Sequence, residues 1–131
     1  AIDGKGVLLY GRSGFGKSDL ALRLIDRGAV LVSDDYTILR PAGGRLIASA
    51  PPSIAGKLEV RGLGIIDIET AADVAVALCV ILDEPVDRMP GEEQAARSFA
   101  GVAVPAVTLQ GLEPSTPIKV EIALDVVGKA S

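Results

Sequence analysis

The sequence predicts an α/β fold, and three observations carry that prediction. The octapeptide GRSGFGKS, residues 11–18, sits between an apolar run and a stretch whose leucines recur at helical spacing. Residues 74–82, VAVALCVIL, form an aliphatic run of strand length. The remaining apolar segments are short and separated by glycine- and proline-bearing turns.

Taken in order, residues 7–10 (VLLY) are a first strand. After the glycine loop, Leu20, Leu22, Leu24 and Ile25 recur in a stretch that Gly28 ends in the manner of a helix C-cap. Residues 30–32 are read as a second buried strand leading into Ser33, Asp34 and Asp35, so the opening 35 residues form a βαβ unit. Residues 36–40 and 45–49 flank the turn-forming PAGG and predict a hairpin. KLEVRGLGIIDIE is extended, interrupted at Gly62 and Gly64 where the backbone must bend or approach something closely. Residues 74–82 are the central strand, DEPVDRMPGEE a charged loop, VAVPAVTLQG another strand, and PSTPIKVEIALDVVG a closing helix with a Ser or Thr cap and proline in its first turn. No repeat, linker or low-complexity tract interrupts residues 1–131, which are expected to be a single domain.

Composition bounds the function. Hydrophobic residues make up 49% of the chain, charged residues 23% and aromatic residues 3%, the balance of a globular protein with an aliphatic core. The net charge is −4 and no basic run is present, so there is no electrostatic footprint for nucleic acid. Cys79 lies inside the apolar run as a buried strand thiol and, being alone, forms no internal disulfide, which suits a cytoplasmic location. The longest apolar stretch is far short of the ~20 residues of a membrane helix, and the chain opens without a signal segment, so membrane and secretory readings are set aside.

GRSGFGKS fits Gly-x-x-x-x-Gly-Lys-[Ser/Thr], with a strand before it and a helix behind it. In such a loop the backbone N–H groups turn inward around phosphates, the lysine adds charge and the following hydroxyl ligates Mg²⁺. The candidate nucleotide-binding residues are Gly11, Arg12, Ser13, Gly14, Phe15, Gly16, Lys17 and Ser18, with the Arg12 side chain expected to be exposed. Asp34 and Asp35 follow a strand on the edge where ligands of open α/β sheets bind. A carboxylate there either holds Mg²⁺ or accepts a proton from an attacking hydroxyl, and two adjacent carboxylates can divide those tasks. Glu59 and Arg61 alternate with Leu58 and Val60, which places both on one face of a strand, either as site residues or as an exposed ion pair. Arg88, in a proline-flanked loop, is either a phosphate-stabilising arginine or a surface charge.

GRSGFGKSDLALRLIDRGAVLVSDD and KLEVRGLGIIDI together resemble the HPr kinase/phosphorylase family, in its C-terminal catalytic domain. That family carries a phosphate loop, then a paired aspartate one helix and one strand later, then Leu-Glu-x-Arg-Gly-Leu-Gly-Ile. VDRMPG is similar to a shortened form of its arginine-bearing loop, and VAVPAVTLQG to the strand and turn that follow. The resemblance implies the fold shared with phosphoenolpyruvate carboxykinases, a mixed β-sheet with flanking helices and a nucleotide site at the loop. It implies ATP- and Mg²⁺-dependent phosphorylation of a serine on HPr or a nitrogen-branch HPr-like phosphocarrier, often with the reverse phosphorolysis, and a hexameric assembly. It also assigns roles: Asp34 as acid/base, Lys17 and Arg88 as groups that stabilise the transferring phosphoryl, and Ser18, Asp35 and Glu59 as metal-associated. Three departures accompany it. The family's N-terminal regulatory domain has no counterpart, as in the short alphaproteobacterial form; EPSTPIKVEIAL replaces an arginine-asparagine element; and an upstream histidine has no counterpart in a chain with no histidine.

Two other readings stay open on sequence: a non-catalytic nucleotide-binding regulatory domain, and a small-molecule kinase on the same fold. A GTPase-like switch is disfavoured because its Asn-Lys-x-Asp element cannot occur in a chain without asparagine.

Overall fold

The computed structural model describes residues 1–86 and 95–130. β1 (Gly6–Tyr10) and α1 (Lys17–Asp26) flank the glycine loop. Three hairpin pairs follow, β2 (Ile38–Ala42) with β3 (Arg45–Ser49), β4 (Lys57–Val60) with β5 (Gly64–Asp67), and, after the long strand β6 (Val74–Ile81), β7 (Ala96–Phe99) with β8 (Val102–Thr108). The last element is α2 (Thr116–Ala130).

The main sheet runs β2-β3-β6-β8-β7, with β1 also paired to β6, and β4-β5 form a separate two-stranded sheet. Cys79, Val80 and Ile81 of β6 pair in parallel with Leu8, Leu9 and Tyr10 on one side and with Ala106, Val107 and Thr108 on the other. At the other end of β6, Val74 and Ala75 pair antiparallel with Ala48 and Ile47. The sheet is therefore mixed, as expected. Because β1, β6 and β8 run parallel, the loops that follow them leave the same edge.

Alternation along β6 explains why its sequence is apolar throughout. Leu78, Val80 and Leu82 pack with Leu20 and Leu24 of α1 and with Val120 and Leu124 of α2. Cys79 and Ile81 point the other way, into a cluster with Leu46, Val104 and Ala106. A strand covered on both faces has no polar face to show.

Helix α1 ends as Gly28 suggested. The Gly28 N–H donates to the Ile25 carbonyl and the Ala29 N–H to the Leu24 carbonyl, each at 3.0 Å, the paired bonds of a Schellman motif. At the start of α2, Pro117 occupies the first turn, and the Thr116 hydroxyl donates to the Gln110 carbonyl.

Two expectations need correction, and one strand has no counterpart among them. Residues 30–32 are not a strand: Leu31 makes one isolated parallel bridge to Thr70, and the Val30 N–H donates to the Ala1 carbonyl. These residues are apolar because they close a small cavity of about 160 Å³ against β1 and α1, so the βαβ reading of the opening segment fails at its last strand. The first hairpin turns at Gly43 and Gly44, with Pro41 and Ala42 inside β2 rather than in the turn. β7 was not anticipated; it pairs antiparallel with β8 across a two-residue Ala100-Gly101 turn. Most of the charged segment after β6 lies outside the described residues.

Candidate active site

The glycine loop leaves β1 at Gly11 and enters α1 at Gly16. Gly14 and Gly16 have φ of 91° and 89°, values that would strain any residue with a Cβ. Gly16 is the N-cap of α1 and offers no side chain to cap it. The first-turn N–H groups are thus left for an anion, where the helix dipole also favours negative charge. The Lys17 ammonium folds back over the loop and donates to the Gly11 carbonyl at 2.6 Å.

The loop is held from outside at two points. Asp83, just past β6, accepts the Arg12 backbone N–H at 3.0 Å and the Arg12 Nε at 3.2 Å through the same Oδ2. The Arg12 backbone donor, with its guanidinium beside it, holds the Asp83 carboxyl below the usual carboxylate range. The Arg12 side chain is 74% exposed, as expected, but it is ion-paired and lies 5.2 Å from the Phe15 ring centroid. The second hold comes from the turn after β8. Gly111 lies so close to the loop that a Cβ there would collide with the Phe15 carbonyl oxygen, and Leu112 packs against Gly16. Arg23 of α1 fixes that turn by donating to the carbonyls of Gly111 and Glu113, the latter at 2.8 Å. Asp83, Gly111 and Arg23 were not singled out from sequence; their roles depend on strand order.

A cleft of about 780 Å³ separates the loop and α1 from the β4-β5 hairpin. It is lined by Ser13, Gly14, Gly16, Lys17 and Ser18 on one side and by Glu59, Val60, Arg61 and Gly62 on the other, with Asp34 and Asp35 also facing it. The Glu59 backbone N–H donates to Asp34 Oδ2 at 2.9 Å, so the Asp34 carboxylate tethers the far wall to the near one. The Ser33 hydroxyl steadies this turn, donating to the carbonyls of Asp34 and Tyr36. Arg61 lies beyond the last residue of β4, in the turn rather than on the strand face, yet it still lines the cleft beside Glu59.

Nine of the predicted residues, Ser13, Gly14, Gly16, Lys17, Ser18, Asp34, Asp35, Glu59 and Arg61, therefore share one cleft. Gly11, Arg12 and Phe15 support the loop without lining that cleft. Arg88 lies outside the described residues. Among the described residues no group of three or more His, Cys, Asp or Glu side chains converges into a ready-made metal site. The oxygen donors present suit Mg²⁺, which keeps several waters and is held by one or two carboxylates together with substrate phosphates.

Residues 1–123 match the family model for the HPr Serine kinase C-terminal domain. The chain belongs to that family. Among HPr serine kinase relatives, it is 40% identical over 118 residues to the HPr kinase/phosphorylase of Clostridium tetani, covering 81% of this chain and 38% of that protein. It is 37% identical over 121 residues to the enzyme of the same name from Lacticaseibacillus casei, with 82% and 38% covered. The match to the Clostridium beijerinckii HPr kinase/phosphorylase is 51% over 69 residues, 53% of this chain and 23% of that one. The chain thus spans well under half the length of these curated relatives. Its fold superposes on the Hpr(Ser) kinase/phosphatase from Coxiella burnetii with a TM-score of 0.79 at 30% identity, over 95% of this chain and 83% of that one. The mixed α/β architecture described above is that of the HPr serine kinase C-terminal fold.

Proposed function

We propose that this protein transfers the γ-phosphoryl group of ATP to a serine hydroxyl of an HPr-type phosphocarrier, and that it also runs the reverse phosphorolysis. The observation that carries the proposal is the single cleft in which the phosphate loop faces Asp34, Asp35 and Glu59 across a space open to solvent. A domain that only bound nucleotide would need the loop but not a tethered carboxylate opposite it.

The triphosphate lies along residues 11–18 with its terminal phosphoryl toward Asp34. Asp34 has one carboxylate oxygen fixed by the Glu59 N–H, which orients the group and leaves its other oxygen for a proton. The serine oxygen attacks the γ-phosphorus, its proton passes to Asp34, and the bond to ADP breaks with the electron pair leaving on the ADP oxygen. Lys17 exchanges the Gly11 carbonyl for a phosphate oxygen, and Arg88 meets the charge spread over the transferring group. Ser18, Asp35 and Glu59 would hold Mg²⁺, which when bound neutralises charge on the phosphates. In the reverse direction, protonated Asp34 returns its proton to the serine oxygen as inorganic phosphate attacks the phosphoserine phosphorus, giving pyrophosphate. Hexameric assembly belongs to the same reading, as does a nitrogen-branch HPr relative as acceptor.

The test is a transfer assay with Mg²⁺, γ-labelled ATP and HPr, beside HPr with its serine changed to alanine. Label on the wild-type acceptor alone is the expected outcome. ATP binding without label on any phosphocarrier would overturn the proposal in favour of a nucleotide sensor.

A further inference from the structure

The same cleft is also lined by Leu22 of α1 and by Leu112 of the turn after β8, which packs against Gly16. Both are exposed, at 41% and 59%, although both are aliphatic. With the reacting phosphoryl turned toward Asp34, the opposite end of the nucleotide must leave the loop in the other direction. From this geometry we infer that Leu22 and Leu112 form the nucleoside subsite, an apolar wall that takes the face of the base and does not read its edge. The inference rests on the nucleotide-dependent reading above.

What distinguishes this wall is how its polar neighbours are engaged. The Arg23 Nε donates to Asp19 at 2.9 Å, and its other nitrogens donate to the Gly111 and Glu113 carbonyls. The Leu112 N–H donates to the Gln110 side-chain oxygen at 3.0 Å, and Lys119 pairs with Glu113 at 3.2 Å. Arg23, Lys119, the Leu112 N–H and the Gln110 side-chain oxygen, groups that could read the Watson–Crick edge of a purine, are therefore engaged within the protein. A site built to hydrogen-bond its ligand rejects an unmatched analogue strongly, whereas an apolar surface discriminates weakly between shapes of similar size. Stacking on a base face is tolerant of base identity for the same reason. The protein should accept adenine and guanine nucleotides almost equally while still binding either better than a bare polyphosphate.

The experiment measures dissociation constants for the Mg²⁺ complexes of ATP, GTP and inorganic tripolyphosphate, with the wild-type protein and with Leu22→Gln. Tripolyphosphate reports the loop alone and serves as the check that the variant is folded. The expected result is ATP and GTP within about threefold of one another, both at least about tenfold tighter than tripolyphosphate. Leu22→Gln should weaken both nucleotides about fivefold and leave tripolyphosphate unchanged. A preference above about thirtyfold for one purine, or nucleotides no tighter than tripolyphosphate, overturns the subsite while leaving the phosphate-loop reading standing. Nucleotides unaffected by Leu22→Gln would also overturn the subsite. If none of the three ligands binds, both the subsite and the nucleotide reading fall.

Discussion

Asp83 touches no reacting atom in the proposed transfer, yet one of its oxygens receives both the backbone and the side chain of Arg12. Asp83→Ala leaves the Arg12 N–H without its acceptor at the entrance to the loop. The expected result is a nucleotide Kd raised roughly tenfold, the scale of one lost hydrogen bond to a charged group, measured by calorimetry with MgATP. The Arg12 contacts depress the Asp83 pKa in the folded protein. Their stabilisation is therefore complete above the ordinary aspartate range and lost as the pH falls through the lowered native value. Loop affinity should fall in acid and be insensitive to this group near neutrality. Asp34→Asn separates binding from chemistry: it keeps an oxygen to accept the Glu59 N–H but takes up no proton. It should lower kcat by about 10²-fold or more with little change in nucleotide Kd, and unchanged turnover would rule out Asp34 as the base.

Among the elements, the turn after β8 and the end of α1 place most weight on single residues. Gly111→Ala sets a Cβ against the Phe15 carbonyl, so either the turn or the loop must shift; nucleotide affinity should fall well beyond the effect of Asp83→Ala. Gly28→Ala places a side chain at φ 108° in the Schellman turn, and an equilibrium denaturation curve should show a loss of about 1 kcal/mol or more. The elements legible in the sequence were those with both a local signal and a local cause. The glycine loop, the Gly28 stop and the Gly43-Gly44 part of the hairpin turn each need particular residues at particular backbone positions. Residues 30–32 misled because their apolarity comes from closing a cavity, and burial without a ladder leaves the same composition as burial within one. β7 escaped notice because ARSF has little apolar alternation and Ala100, at φ 50°, sits where glycine or asparagine usually marks a turn. Asp34, Asp35 and Glu59 could be found through their motifs. Asp83 could not, because its partnership with Arg12 follows from the pairing of Tyr10 with Ile81, seventy-odd positions away in sequence.

At the scale of the whole molecule, β6 supplies residues to both core clusters and carries Cys79 in the one away from the helices, with no measurable exposure. Burial pushes the Cys79 thiol up to about 11 from 9.0. The folded protein thus holds this proton more tightly than the unfolded chain. The resulting stability is present in full below pH 9.0, erodes as the pH rises, and is gone above about 11. Thermal denaturation over that window should show a progressive fall in Tm that Cys79→Ser does not share, and a thiol reagent at pH 8 should react only on unfolding. The parallel pairing of β1, β6 and β8 also bears on the order of events during synthesis. Each hairpin can close between neighbours, but Leu8 must find Cys79, and Cys79 must find Ala106. Such distant closures are slow because chain entropy is lost before contacts repay it. A ribosome releases the glycine loop ahead of the rest of the site, yet the loop gains its last support only when Gly111 and Leu112 have emerged. The nascent chain therefore carries its nucleotide motif early and its nucleotide site late.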